Sequence, residues 1–79
     1  MGRAGKALKQ VLDTYGITQN QLAIAMGIRR SNVSRWVSEI RDPVAETMLE
    51  IRDGLQKISP EAAEEFIRLY LSATAEDEE

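Results

Sequence analysis

The stretch from Thr18 to Ser38, TQNQLAIAMGIRRSNVSRWVS, decides how this chain folds. Thr18 followed three residues later by Gln21 is a capping-box pattern that starts a helix, and Leu22, Ala23 and Met26 then gather on one face. Gly27 stands directly after the last of these. A glycine there supplies the left-handed backbone of a tight turn, and Ile28 is expected as an apolar plug beneath it. The chain then restarts as helix: Val33, Trp36, Val37 and Ile40 fall on one side, and Ser31, Asn32, Ser34, Arg35 and Ser38 on the other. One side packs and the other faces out. Ala23 is small enough to let the two helices cross closely, so the pattern predicts two short helices at a sharp angle around a turn.

Outward from this pair the pattern stays helical. Ala4, Leu8, Val11, Leu12 and Tyr15 keep helical spacing over residues 3–15, and Gly16 stops the run. Downstream, Asp42-Pro43 reads as cap and first position of a fourth helix, with Val44, Met48, Ile51, Leu55 and Ile58 as its buried stripe. Gly54 is expected to weaken that helix by about 1 kcal/mol relative to alanine. Ser59-Pro60-Glu61 repeats the cap pattern and opens a fifth helix over residues 59–75, and the acidic run Glu76-Asp77-Glu78-Glu79 reads as a disordered tail. The expectation is an all-α, five-helix domain over residues 1–75, with no strand pattern or internal repeat.

Composition limits the chemistry. The 79 residues allow one domain, and the absence of cysteine and histidine excludes disulfides, Cys/His metal sites, thiol nucleophiles and imidazole catalysis. The carboxylates are scattered, without a glycine-rich phosphate loop. No catalytic residue, metal or cofactor is therefore expected. Neither a membrane-length apolar run nor a hydrophobic signal region is present in the sequence, so a cytoplasmic protein without membrane contact is expected. The formal net charge of −3 conceals a division, because residues 1–41 carry a net +5 and residues 42–79 a net −8. Such asymmetry suits a chain that presents one face to a polyanion.

These residues resemble the lambda-repressor-like, Cro-type (XRE) helix-turn-helix family. The resemblance rests on Thr18-Gln19, Leu22-Ala23, Gly27 and Ser34-Arg35-Trp36 at the family's spacing, and it extends over roughly residues 5–58. Two departures stand out. Many members carry a buried Arg–Glu pair where this chain has Leu12 and Val37; replacing both charges together by apolar side chains preserves the packing. Many also carry serine at the cap position occupied by Arg29, a poor cap, which leaves open a shifted helix start with Ser31 as the cap.

The resemblance implies a sequence-specific DNA-binding regulator, a small repressor of a prokaryote or phage, associated with the nucleoid when bound to DNA. Its second motif helix would enter the major groove, where Arg30, Ser31, Asn32, Ser34 and Arg35 could reach base edges. Arg35 is the strongest candidate, since a guanidinium fork matches the O6 and N7 acceptors of guanine. Gln19 would clamp a phosphate at the positive end of the first motif helix, with Arg29, Arg41, Lys6 and Lys9 adding charge toward the backbone. In the fifth helix, Ala62, Ala63, Phe66, Ile67, Leu69, Tyr70, Leu71 and Ala73 spread over roughly twice the arc that one core contact needs. Ile67, Tyr70 and Leu71 are assigned to a homodimer contact, and Ala62, Phe66, Leu69 and Ala73 to the domain's own core. The competing reading is a protein-interaction module, such as an antitoxin-like adaptor, holding a protein partner through the acidic half. The outward-facing Arg35 and its neighbours favour DNA.

Overall fold

The computed structural model describes residues 3–39 and 41–77, the segment 73–77 by its backbone course. Five helices follow one another: α1 (Arg3–Tyr15), α2 (Gln19–Met26), α3 (Arg30–Val37), α4 (Ala45–Ile58) and α5 (Pro60–Asp77). No strand occurs among the described residues. The helices close around one core in which Leu8, Val11, Leu22, Val33, Ile51, Leu55 and Phe66 are fully buried. α5 lies against both α1 and α4, α4 supports α2, and α3 rests on α1 and α2.

The first two helices have the expected bounds, while α3, whose start the sequence left open, ends at Val37, before Ile40. Leu12 is buried, and Val37 packs partly buried against the same core, so both sites of the missing ion pair are apolar packing positions. Tyr15, however, is 38% exposed at the end of α1 rather than part of its buried stripe. Ile40, expected to pack beside Trp36, lies outside the described residues.

The entry to α4 differs from the sequence reading. Val44, not Asp42, is the cap residue; no side chain caps the helix, and Val44 is 66% exposed instead of buried. Asp42 and Pro43 belong to the non-helical connection from α3, where both line the cleft beside that helix; this tertiary placement overrides the local cap preference. Ile58 is also at the edge of the stripe, at 36% exposure.

Gly54 has a packing role that helix propensity alone does not show. A Cβ added there would stand 2.5 Å from Met26 Cγ and 3.2 Å from Leu22 Cδ1, so the missing side chain lets α4 lie against α2. The same junction is tied at its rim by Lys57, whose Nζ donates to the Ala25 carbonyl oxygen at 3.2 Å. That carbonyl belongs to the last turn of α2, where the helix itself leaves acceptors unpaired.

The α4–α5 junction follows the expected cap. The Ala62 amide donates to Ser59 Oγ at 3.3 Å, and Pro60 occupies the first helical position. α5 then continues through Glu76 and Asp77, which the sequence had assigned to a tail; Glu78 and Glu79 lie outside the described residues. Ala62, Ala63 and Phe66 form its core contact. Leu69 packs against them partly buried, while the Ala73 side chain lies outside the described set. Ile67 and Tyr70 also pack against the domain's own core, leaving Leu71 as the exposed member of the proposed dimer trio, at 57%.

Both ends of α3 are held without ideal residues. Arg29 is its N-cap with no side-chain hydrogen bond, and Glu39, just past its end, has a left-handed φ of 65°. Two stability changes are expected in urea melts followed by circular dichroism. Arg29→Ser should raise the unfolding free energy by about 0.5–1 kcal/mol by supplying a cap acceptor. Glu39→Gly should raise it by about 0.5–1 kcal/mol, because relief of the left-handed penalty exceeds the entropy that glycine adds to the unfolded chain. A fall in midpoint for either variant would contradict the corresponding end geometry.

Candidate nucleic-acid interface

The interface is built from the start of α2. The Gln21 amide donates to Thr18 Oγ1 at 3.0 Å, and the Thr18 amide donates to Gln21 Oε1 at 2.8 Å. This reciprocal box fixes the first turn and places Gln19 at the first helical position, half-buried, where backbone N–H groups still point outward. At the other end of α2, Gly27 takes a left-handed φ of 71° and its amide donates to the Ile24 carbonyl, while the Ile28 amide reaches back to Ala23 at 3.0 Å. Ile28 packs partly buried below the turn, and Ala23 is 2% exposed where α2 meets α3. These contacts set the angle at which α3 leaves the turn.

α3 begins at Arg30, with Arg29 as its cap. The Ser31 alternative is thereby removed: Arg30 is the first helical residue, and the Asn32 amide donates to the Arg29 carbonyl at 3.0 Å. Val33 at 0% exposure and Trp36 at 7% turn one side of α3 into the core. Trp36 is thus a packing residue and not an exposed stacking platform. The opposite side carries exposed Ser31, Arg35 and Ser38, with Asn32 and Ser34 half-buried between them, and Arg30 is exposed in the first turn, three residues before Val33. Arg35 Nη1 donates to Asn32 Oδ1 at 3.4 Å, which links two neighbours on that polar side.

Beside α3 lies an open cleft of about 510 Å³, lined by Asn32, Arg35 and Trp36, by Arg41 from the connection, and by Thr47 and Glu50 from α4. It brings Arg41 to Arg35, which α3 and the following connection had placed six residues apart. Thr47 and Glu50 are the members that the sequence did not single out. Their signal is one of phase: at helical spacing from Pro43 and Val44, they face the cleft from the first turns of α4.

Lys6 and Lys9 are placed differently. They lie exposed on α1 along a shallow groove shared with Gln10, Asp13, Thr14 and Glu39, so carboxylates stand beside both ammonium groups. The motif arginines share their cleft with carboxylates in the same way, Arg35 and Arg41 standing with Asp42 and Glu50. None of Arg29, Arg30, Arg35 and Arg41 forms an ion pair with a described residue. The three cations of the acidic half are all engaged: Arg52 with Asp53, Arg68 with Glu65, and Lys57 with the Ala25 carbonyl. The Glu65 carboxylate also raises the Arg68 pKa above the ordinary arginine value, by hydrogen bonding and by charge. The positive charge nearest α3 is that of Arg29, Arg30, Arg35 and Arg41, with Lys6 and Lys9 on α1 likewise outside any ion pair among the described residues.

The polar, cationic side of α3 can donate hydrogen bonds to phosphates and base edges, while its opposite side is fixed in the core. No helix among the described residues is long and apolar enough to cross a membrane. Comparison with known proteins agrees with the geometry: a helix-turn-helix family model, of the Cro/C1 and XRE-like type, matches residues 8–62. No curated protein and no solved structure matches the chain. The family match covers more than half of the sequence and contains the capped α2, the Gly27 turn and α3; the chain belongs to the Cro/C1-type helix-turn-helix family of DNA-binding regulators.

Proposed function

We propose that the protein is a sequence-specific reader of duplex DNA that acts as a small repressor and binds an inverted repeat as a homodimer. One observation carries the reading: α3 is anchored by Val33 and Trp36 while its other side exposes Ser31 and Arg35 and its first turn exposes Arg30, neither arginine having an ion-pair partner among the described residues. An anchored helix with a polar outer side can enter the major groove without losing its core contact. Arg35 then reads guanine through its paired donors, with Arg30, Ser31, Asn32 and Ser34 reaching neighbouring positions. Gln19 at the start of α2 holds a phosphate together with the helix's outward N–H groups, and Arg29 and Arg41 add charge on either side of α3. Lys6 and Lys9 add charge from α1, where Asp13 and Glu39 share their groove as Asp42 and Glu50 share the Arg35–Arg41 cleft.

A second copy is supported by surplus apolar surface on α5. Ile67 and Tyr70 stay half-exposed although they touch the domain's own core, and Leu71 is largely exposed, so the trio can join a partner's equivalent patch. A two-fold pair would present its α3 helices to half-sites about 34 Å apart, one turn of DNA.

Selection of bound duplexes from a random pool, followed by titration at several salt concentrations, tests the reading. Arg35→Ala should lose about 1–3 kcal/mol of discrimination at one base position. Gln19→Ala should instead weaken all sequences alike and leave the salt slope unchanged, because a neutral amide releases no counterion. A wild type that retains no duplex at low salt would overturn the proposal. Sedimentation equilibrium tests the pair separately: the wild type should dimerise at tens of micromolar, roughly the range accessible to a modest interface, and Ile67→Glu should not. A monomeric wild type would remove the inverted-repeat geometry.

A further inference from the structure

We infer that Gly5 is a positioning residue for DNA reading, because it seats α1 directly on the backbone of the last turn of α3. Gly5 is buried in the first turns of α1. A Cβ built there would stand 2.1 Å from the Trp36 carbonyl oxygen and 3.3 Å from Glu39 Cγ. The first of these neighbours is main chain and has no rotamer through which to escape. That carbonyl also accepts the Glu39 amide at 3.1 Å, within the left-handed turn that ends α3. The Arg41 amide reaches back to the Arg35 carbonyl at 3.4 Å across the same turn. Three segments therefore meet at one point: the start of α1, the end of α3, and the connection carrying Arg41.

A methyl group at Gly5 must move one backbone away from another before ordinary contact distance, 3.4 Å or more, is regained. α1 is held along Leu8, Val11 and Leu12 and the start of α3 by the Gly27 turn and Val33, so the strain falls on the junction itself, loosening the Trp36 contact and tilting the end that carries Arg35. Gly5 touches no DNA in this account. It acts through the tilt of α3, and the inference rests on the sequence-specific reading proposed above. An ordinary glycine inside a helix would behave oppositely, since replacement by alanine usually improves helix stability.

The test compares wild type, Gly5→Ala, Glu39→Gly, the double variant Gly5→Ala/Glu39→Gly, and Ile51→Val, a conservative core change in α4 remote from this junction. Thermal melts give stability. Trp36, the single tryptophan, reports the junction by emission and acrylamide quenching without DNA. Binding at a temperature where all variants are folded gives the affinity ratio between the selected duplex and a random one. Gly5→Ala should melt earlier than wild type, shift Trp36 emission to the red and increase its quenching. It should also lower the affinity ratio by about tenfold, as loss of one well-aligned base contact would. The double variant should regain melting temperature while keeping the reduced ratio, and Ile51→Val should keep the wild-type ratio. Folded Gly5→Ala with a ratio within about twofold of wild type, or an equal loss in Ile51→Val, would overturn the positioning role. A wild type without any preferred duplex would overturn the sequence-reading proposal instead, and wild-type Trp36 quenching in Gly5→Ala would separately overturn the seating of α1 on α3.

Discussion

Burial of Val33 and Trp36 is the constraint on which the rest of the molecule depends. A helix as short as α3, eight residues with an uncapped start, is unstable in isolation, where about 12–15 residues are needed for even marginal helicity. Two buried side chains, each worth about 1.5–3 kcal/mol on removal from water, hold it in place. Every other helix serves that burial, directly or through a neighbour. α1 and α2 contact α3, while α4 and α5 complete the core around Ile51, Leu55 and Phe66. Since helix geometry fixes the relation between sides, anchoring Val33 and Trp36 also decides that Ser31 and Arg35 face outward.

Charge reinforces the same polarity. The acidic half of the chain consumes its own cations: Arg52 and Arg68 meet carboxylates on their own helices, and Lys57 closes the end of α2. Exposed pairs of this kind add little stability, but they remove positive charge from the surface of α4 and α5. The motif arginines remain available for an outside anion. A chain with net charge −3 can thus present a cationic face, because most of its acidic residues belong to α4 and α5, which pack against α2 and α1, with Asp42 and Glu50 the carboxylates at the α3 cleft. Repulsion between that acidic side and DNA would favour the orientation in which α3 leads.

Local rules made the central motif legible. The Thr18–Gln21 box and the Gly27 turn each depend on residues close in sequence, and both have the geometry that their pattern implies. The alternation of sides in α3 follows from helix pitch alone. What sequence reading missed depends on partners distant in the chain. Asp42-Pro43 resembles a local helix start, yet both residues line the cleft beside α3 and the helix begins only at Ala45. Gly54 looks like a weak helix residue until Met26 and Leu22 are brought against it, and Gly5 until the Trp36 carbonyl arrives. A signal for both glycines was present: Gly5 precedes Leu8 and Leu12 at buried-stripe spacing, and Gly54 follows Ile51 in the same way. On α5 the wide apolar arc was visible, but its division was not, because Ile67 and Tyr70 touch a core whose depth only the assembled helices define. Arg29 shows the converse case, a poor cap that tertiary anchoring overrides.

Mapping of backbone amide shifts during titration with a selected DNA duplex addresses the central claim most directly, because it reads every segment at once. The account predicts perturbations concentrated at Gln19 and Asn20, from Arg29 through Arg35, and at Arg41, with Glu46, Glu61 and Glu64 unshifted. Perturbations centred on the acidic surface of α4 and α5, with Arg30, Ser31 and Arg35 unchanged, would contradict it.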